Sequence, residues 1–236
     1  MNLPLNTLAD VSDATEHARY NMIEQQIRPW NVLDQSVLQV LAEVKREDFV
    51  PAAHHAVAFT DTEIPLQDNI PQANALGQLM LAPRVSARML QDLAIQPGDR
   101  VLEVGTGSGY MAALLARRAK QVLSLEIDPE LVEFARENLH SAGFHNVEVR
   151  HSDAAKDAIT DGPFDAIVLS GSVAEVPQKF LELLAPGGRL SAIVGQQPMM
   201  RATLIERGAQ GFATSQPWDV VVARLQGFAE PSGFQF

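Results

Sequence analysis

The amino-acid sequence predicts an α/β protein with a doubly wound, mostly parallel seven-stranded sheet, an N-terminal helical extension and a C-terminal antiparallel hairpin. From residue 100 onward, short apolar runs alternate with segments of helical periodicity, which is typical of a parallel sheet covered by helices on both faces. The chain has 236 residues, of which 46% are hydrophobic and 20% are charged. This length and composition suit a protein with one main buried core.

The composition also excludes several functional classes. The chain carries 29 acidic and 18 basic residues, with a net charge of −11 and no basic run, so we expect no nucleic-acid or membrane partner. The absence of cysteine excludes disulfides and thiolate chemistry. No secretory signal and no apolar run of roughly 18 residues is present, so we expect a soluble cytoplasmic protein, either a monomer or a weak dimer.

Two helices are predicted near the N-terminus. Asp13, followed three residues later by Glu16, is typical of the capped start of a helix that runs toward Ile27. Pro29 is expected to end that helix, because proline disfavours the helical conformation of the residue before it. A second amphipathic helix is predicted from Asp34, since apolar residues recur there at helical spacing.

Residues 49–81 contain several prolines, asparagines and a glycine and show no sustained periodicity. They are therefore predicted as a long irregular segment, and such segments often serve as lids or binding walls. This divides the chain into two predicted parts. Residues 1–81 form the helical extension and a substrate-covering segment, and residues 82–236 form the cofactor-binding domain.

Alternating helices and strands are predicted in the second part. The predicted helices are 82–93, 110–119, 129–142 and 177–184. The predicted parallel strands are 100–104, 121–125, 147–150, 164–170 and 189–194, the last preceded by a turn at 186–188. Two further strands, 203–206 and 219–225, flank a glycine-containing turn and predict an antiparallel hairpin.

The sequence VLEVGTGSGY joins an apolar strand to a helix through Gly105, Gly107 and Gly109. In an open parallel sheet, ligands bind beyond the carboxyl ends of the strands, and glycines allow the backbone to approach them closely. A simple tight turn is the alternative interpretation. Glu126 ends the next predicted strand, roughly 20 residues beyond the first glycine, where a carboxylate can accept both hydroxyls of a ribose. Together these features predict a nucleoside cofactor.

The spacing of the glycines bears on the choice of cofactor. The pattern is G-x-G-x-G, with Tyr110 where a dinucleotide site has a third small residue, so NAD is disfavoured. No Gly-Lys-Ser/Thr follows, which excludes a Walker loop. Glu103, two residues before the first glycine, would repel a pyrophosphate but suits a cofactor with a cationic end.

The pattern from Glu103 to Gly109 resembles motif I of the class I S-adenosylmethionine-dependent methyltransferases. The resemblance implies the Rossmann-like methyltransferase fold, with S-adenosyl-L-methionine as cofactor. Residues 152–154 match the place where the family holds adenine, and residues 186–188 match the turn before its fifth strand. The cofactor-binding residues implied are Glu103, Gly105, Thr106, Gly107, Ser108, Gly109, Glu126, Ile127, Ser152, Asp153 and Ala154.

Over most of its length, from about Ala18 to Leu225, the chain resembles the protein-L-isoaspartate O-methyltransferases. The segments that carry the resemblance are VLQVLAEVKREDFVP, AFTDTEIPL, VLEVGTGSGYMAALLA, PFDAIVLS and LLAPGGRL. The resemblance implies protein repair, in which a methyl group is transferred to the isoaspartyl carboxylate of a damaged protein or peptide. Because that carboxylate is already ionised at neutral pH, no general base is needed, and no catalytic residue is assigned.

One motif departs from the family. After the Gly-Gln pair, the family has Thr-Ile-Ser-Gln/Ala-Pro, whereas this chain has Leu79 to Pro83 without either hydroxyl. An apolar wall leaves a carboxylate without hydrogen-bond donors, unless the leucines point into the core and Arg84 supplies one. Ser170 replaces a threonine conservatively, while Gly171 replaces an alanine. The substrate-binding residues predicted are Leu79, Leu81, Arg84 and Ser170.

Three functions remain open from the sequence. The first is isoaspartyl methylation, and the second is methylation of a different, less polar acceptor, which includes a small molecule. The third is non-catalytic binding of S-adenosylmethionine. No metal site is predicted, because the histidines lack accompanying ligands at zinc spacing.

Overall fold

The structure is a computed structural model that describes residues 14–230. The predicted cap residue Asp13 lies outside the described residues. Helix α1 (Ala14–Asn21) continues directly into a π-helical turn (Met22–Ile27) and a 3-10 turn (Arg28–Trp30). The predicted helix ends at Ile27, and the 3-10 turn after it ends at Trp30, as expected, but Arg28 has helical dihedrals (φ −56°, ψ −40°), so Pro29 does not act by disfavouring them. It lies within the first turn of the 3-10 segment, where the missing N–H is not needed, and the chain turns at Asn31 with a φ of 68°.

Helix α2 (Gln35–Glu43) confirms the second predicted helix. The side chain of Asp34 accepts a hydrogen bond from the backbone N–H of Ser36 at 2.8 Å and so caps the first turn. The helix buries the apolar face that its periodicity predicts. Its buried residues are Val37, Leu38, Val40 and Leu41.

The segment predicted as irregular contains regular structure. A 3-10 turn at Arg46–Phe49 leads into the segment, and a second 3-10 turn lies within it at Ala52–Val57. Strand β1 (Ile64–Pro65) pairs antiparallel with strand β2 (Leu79–Met80), and helix α3 (Ile70–Leu76) lies between them. These elements are too short for a periodic signal. Buried Arg46 fixes the segment, because its Nε donates to the carbonyl of Ala58 at 3.0 Å and its Nη2 to that of Leu81 at 2.9 Å.

The seven-stranded sheet confirms the predicted fold. Its strands are β3 (Arg100–Val104), β4 (Gln121–Glu126), β5 (Val147–His151), β6 (Phe164–Val173), β7 (Leu184–Gln196), β8 (Met199–Gly208) and β9 (Gly211–Asp219). The order is β5-β4-β3-β6-β7-β8-β9. The first five strands in this order are parallel to one another, β8 is antiparallel to β7, and β9 is antiparallel to β8. The remaining helices are α4 (Pro83–Leu93), α5 (Tyr110–Ala116), α6 (Pro129–Ser141) and α7 (Gln178–Glu182).

Two details of the prediction are wrong. Residues 186–188 do not form a turn before the strand but belong to β7. There they form an irregularity, where the pairing moves from Phe164–Leu184 to Ala166–Arg189. The second strand of the hairpin is β9, not residues 219–225. β9 is a polar, exposed edge strand without an apolar alternation, so the sequence gives little sign of it.

Apolar side chains pack against both faces of the sheet. One cluster contains residues from α2, α4 and α5, and the other contains β3, β6 and α7 residues such as Leu102, Ile167 and Phe180. Burial on both faces explains the apolar residues that recur along β3 and β6. Strand β3 lies between β4 and β6. The chain passes from β3 to β4 on one side and later crosses from β5 to β6 on the other side, and this reversal opens a crevice at the carboxyl end of β3. Among residues 14–230, no helix is long and apolar enough to cross a membrane.

Candidate active site

The loop between β3 and α5 provides the floor of the crevice. Gly105 and Gly107 have φ values of 90° and 54°, which L side chains rarely adopt. A Cβ atom on Gly107 would lie 3.0 Å from Leu66 Cδ1, and one on Gly105 would lie 2.6 Å from Leu225 Cδ2. The covering segments therefore approach this loop closely. Gly109 has a different role, since a Cβ there would meet Leu139 of α6.

Glu126, at the end of β4, is held in one orientation by backbone donors. Its Oε2 accepts a hydrogen bond from Gly107 N at 2.8 Å, and its Oε1 accepts from Ile127 N at 2.9 Å and from Asp128 N at 3.1 Å. Burial raises the pKa of this carboxyl group, while the three donors favour its ionised form. Oε2 accepts only one of these bonds, so it keeps acceptor capacity for a ligand hydroxyl.

The crevice contains a main cavity with an empty volume of about 550 Å³. Predicted cofactor residues that line it are Gly105, Gly107, Glu126, Ile127, Ser152 and Ala154. Further lining residues include Leu66, Leu76, Gly77, Gln78, Leu225, Gln226 and Phe228. A nucleoside ligand would therefore lie across the ends of β3 and β4, as the glycine pattern predicts.

A side cavity with an empty volume of about 300 Å³ adjoins the main cavity. It is lined by Leu79, Met80, Leu81, Ser86, Gly105, Thr106, Gly107, Ser108, Tyr110, Met111 and Ser170. Four of these residues, Leu79, Gly105, Gly107 and Ser170, also line the main cavity. Ligands in the two cavities would meet at this shared wall.

Glu103 lies beneath the shared wall and lines neither cavity. It is fully buried, with Oε1 2.8 Å from Ser170 Oγ and Oε2 2.6 Å from Ser124 Oγ. Ser124 Oγ is in turn 2.6 Å from Thr106 Oγ1, so four polar side chains form a continuous network. Burial raises the pKa of Glu103 to about 8, with a smaller contribution from the nearby Glu126. Burial therefore favours the neutral form of Glu103 at pH 7.

This burial predicts a pH-dependent stability. The pKa of Glu103 is about 8 in the folded protein against an ordinary value of 4.5, so between these values the folded state binds one more proton than the unfolded state. Stability then falls as pH rises, by up to about 1.4 kcal/mol per pH unit from this group. We expect urea unfolding between about pH 5 and pH 8 to show this loss relative to Glu103→Gln, which lacks the titrating proton.

An exposed glutamate supplies the control for that experiment. Glu133 has a side chain that is 67% exposed, so Glu133→Gln should retain the pH dependence of the wild type. If the free energy of unfolding changed with pH in the same way for the wild type and for Glu103→Gln, the assignment of a raised pKa to Glu103 would be contradicted.

Besides Glu103 and Gly109, two further predicted site residues line neither cavity, and their side chains have other partners. Arg84 forms an ion pair with Asp61, and its guanidinium carbon lies 4.4 Å from the centre of the Trp30 ring. Asp153 accepts from Lys156 Nζ at 2.8 Å and from Ala155 N at 3.0 Å. Neither residue lines the main or the side cavity. Their roles in substrate and cofactor binding therefore remain predictions that rest on the resemblance alone.

Several lining residues were missed because no local motif marks them. Leu66, Gln226 and Phe228 come from segments that only the fold brings together. Gly77 offered one signal, since a Cβ there would lie 2.6 Å from the carbonyl oxygen of Arg224. A glycine at that place marks a close approach between two distant segments, but the sequence does not say which ones.

The chain is similar to known proteins over most of its length. Residues 17–222 match the family described as Protein-L-isoaspartate(D-aspartate) O-methyltransferase (PCMT). A protein-L-isoaspartate O-methyltransferase of Koribacter versatilis is 37% identical over 82% of this chain and 83% of its own length. One from Methanoculleus marisnigri is 39% identical over 78% of this chain and 80% of its own length.

Solved structures support the fold. A beta-aspartate methyltransferase (PCMT) from Plasmodium falciparum, crystallised in complex with S-adenosyl-L-homocysteine, has a TM-score of 0.72 and 21% identity. The match covers 91% of this chain and 99% of that one. With the family match and the relatives above, these similarities show that the chain belongs to the protein-L-isoaspartate(D-aspartate) O-methyltransferase family of S-adenosylmethionine-dependent methyltransferases.

Proposed function

We propose that this protein methylates the isoaspartyl carboxylate of damaged proteins or peptides, with the cofactor in the main cavity and the acceptor in the side cavity. The observation that carries the proposal is the shared wall of Leu79, Gly105, Gly107 and Ser170. A donor and an acceptor on either side of it would be close enough to react directly. Family membership supports the choice of acceptor.

The residues of the main cavity fit S-adenosylmethionine. Glu126 presents an oriented carboxylate to a ribose, and the buried Oε1 of Gln78 has no hydrogen-bond partner among the described residues. Gln78 Nε2 donates to Asp128 Oδ2 at 2.6 Å, so the free oxygen is held in place beside the cavity. When bound, the cofactor supplies an electrophilic methyl group on a sulfonium.

The protein contributes alignment and exclusion of water. Leu66, Leu79 and Leu225 line the main cavity with apolar side chains, which favours a reaction whose opposite charges cancel. Holding two reactants in a productive geometry can lower a barrier by about 7–11 kcal/mol. No general base is required, because an isoaspartyl carboxylate with a pKa near 4 is already ionised.

Ser170 offers a donor to an acceptor carboxylate. In this structure Ser170 Oγ donates to Glu103 Oε1 at 2.8 Å, but a proton on Oε1 of neutral Glu103 would reverse the direction of this bond. The Ser170 hydroxyl hydrogen is then free to point into the side cavity. In this way neutral Glu103 would direct the hydroxyl of Ser170, which stands where the family has threonine, toward the substrate.

A second candidate is a less polar acceptor, and the side-cavity wall specifically favours it. Leu79 and Leu81 stand where the family has hydroxyls, and both line the side cavity. Arg84 cannot replace them, because it is paired with Asp61. A carboxylate bound there would lose its hydrogen bonds to water and would find fewer hydrogen-bond donors than in typical relatives, which makes the free energy of binding less favourable.

One assay separates these candidates. Labelled S-adenosylmethionine is offered with an isoaspartyl peptide and with the matching aspartyl peptide. We expect methyl ester on the isoaspartyl peptide only, and a kcat/KM that rises about 10-fold or more in Leu79→Thr/Leu81→Ser, since a hydrogen bond to a charged group contributes about 1.5–3 kcal/mol. Leu33→Ser is the matched control, because Leu33 is 59% exposed and lines neither cavity.

The failures are also distinguishable. A wild type that binds S-adenosylhomocysteine but esterifies neither peptide, with or without the two hydroxyls, would overturn the isoaspartyl acceptor in favour of the less polar one. A wild type that does not bind S-adenosylhomocysteine would overturn both candidates.

A further inference from the structure

Arg46 is a buried cation that lies directly behind the wall of the side cavity. Its Nη2 donates to the carbonyl of Leu81 at 2.9 Å, and its guanidinium carbon lies 5.1 Å from the centre of the Tyr110 ring. Leu81 and Tyr110 both line the side cavity, whereas Arg46 does not line it and is 0% exposed. The guanidinium therefore adjoins the wall of this cavity at two of its residues.

The charge of Arg46 is not balanced by a carboxylate of its own. Within residues 14–230 it forms no ion pair; it donates to two carbonyl oxygens, and its Nη1 has no hydrogen-bond partner. Two acids lie nearby, but each is paired with another arginine, Glu47 with Arg19 and Asp61 with Arg84. Burial lowers the pKa of Arg46, but a guanidinium remains ionised at neutral pH. One buried positive charge is therefore left unpaired behind the wall.

Tyr110 adds an unused donor to the same part of the wall. It is 2% exposed, and its Oη has no hydrogen-bond partner among the described residues. Burial raises the pKa of Tyr110 to about 12, so its hydroxyl keeps its proton at neutral pH. An unpaired buried cation costs free energy. An anion bound in the side cavity would offset that charge, whereas an uncharged ligand would leave it uncompensated.

We propose that Arg46 is a specificity-determining residue of the acceptor site, and that its charge selects an anionic acceptor without direct contact. The proposal rests on the proposed isoaspartyl acceptor in the side cavity and deepens it. Leu79 and Leu81 offer no donor, but they also exclude water, and two charges attract each other more strongly where water is excluded. The positive charge behind the wall thus acts on the carboxylate in place of the two hydroxyls of the family.

A pair of peptides measures this selection. One carries isoaspartate, and the other carries a carboxamide in place of the isoaspartyl carboxylate, so the two differ in charge but little in shape. Calorimetry measures both Kd values with the protein saturated with S-adenosylhomocysteine. We expect the wild type to bind the carboxylate peptide about 10-fold or more tightly than the carboxamide peptide, and Arg46→Met to lose most of this preference. Arg46→Lys, which keeps the charge, should retain most of it.

Two further variants separate charge from structural support. Arg118→Met is the matched control and should keep the wild-type preference. Arg118 also donates to a backbone carbonyl, that of Ile95 at 3.3 Å, but it follows the opposite end of α5 from Tyr110. Asp61→Asn removes a negative charge near Arg46, so the preference for the carboxylate peptide should increase. Because Asp61→Asn leaves Arg46 in place, it tests the charge even if Arg46→Met does not fold.

The outcomes distinguish this proposal from the proposed function. If Arg46→Met weakens the binding of both peptides equally, Arg46 has a structural role only and the proposal is overturned. An unchanged ratio of the two Kd values in Asp61→Asn, or a wild type that esterifies the isoaspartyl peptide but binds both peptides equally, would overturn it as well. A wild type that binds S-adenosylhomocysteine but neither peptide would instead overturn the isoaspartyl acceptor, on which the proposal rests.

Discussion

Replacement of Gly107 by valine is expected to abolish cofactor binding, with the Kd for S-adenosylhomocysteine raised at least 100-fold. Gly107 has a φ of 54° and lines both cavities, so a side chain there would be strained and would project among the ligand-binding surfaces. Its Cβ alone would lie 3.0 Å from Leu66 Cδ1. The left-handed conformation costs about 1–2 kcal/mol for an L residue, and the larger effect comes from the lost ligand space. Calorimetric titration measures the Kd.

The control separates strain from lost space. Gly143 has a φ of 78°, similar to that of Gly107, but a Cβ there would meet no atom within 4 Å. Gly143→Val should therefore lower stability to a similar extent while the Kd stays within about two-fold of wild type. Wild-type affinity in Gly107→Val would count directly against a ligand on the glycine loop.

The second large effect is expected for Glu126→Ala. This change removes the carboxylate proposed to hold the ribose and leaves the N–H groups of Gly107, Ile127 and Asp128 without their acceptor. Each hydrogen bond to a charged group contributes about 1.5–3 kcal/mol, so we expect the Kd for S-adenosylhomocysteine to rise about 100-fold or more. Calorimetry with S-adenosylhomocysteine and with its 2′-deoxy analogue measures the change.

The analogue tests the stated role of the carboxylate. Loss of one ribose hydroxyl should weaken binding to the wild type but make little difference to Glu126→Ala, because the interaction is already missing. Glu130→Ala in the first turn of α6 should bind both ligands like the wild type, since Glu130 does not line the main cavity. A similar penalty for the analogue in the wild type and in Glu126→Ala would contradict contact between Glu126 and the ribose.

The central strands were predictable from the sequence because they are buried on both faces. Strands β3, β4 and β6 consist mostly of buried residues, with valine and leucine recurring in each, and helical segments lie between β3 and β4 and between β4 and β6. Helix α3 and strands β1 and β2 were not predictable, because they have seven, two and two residues. Elements of that length form through contacts with the rest of the fold, such as the bonds of Arg46, and not through a periodic pattern.

The C-terminal strands show the opposite error. Residues 219–225 contain an apolar run that is typical of a strand, yet most of them follow β9 outside the sheet, where Val222 is buried in the core and Leu225 lines the main cavity. Strand β9 is exposed along most of its length, so its side chains carry no alternating pattern. An apolar run indicates that its residues are buried, but it does not show whether they are buried within a sheet or beside a crevice.

The residues of the candidate site also differ in how far they could be predicted from the sequence. The place of the glycine loop and Glu126 at the crevice was predictable, because it follows from their position after two neighbouring strands. Leu225, Gln226 and Gln78 were not, since each reaches the main cavity from a segment distant in sequence. Arg84 was predicted as a donor from its place in the chain, but its pairing with Asp61 depends on where the 3-10 turns direct the covering segment.

A crystal structure of the complex with S-adenosylhomocysteine tests the central claim most directly. The account predicts the nucleoside in the main cavity, with the ribose hydroxyls within about 3 Å of the Glu126 carboxylate. A ligand bound elsewhere, or bound here with Glu126 turned away from the sugar, would contradict it.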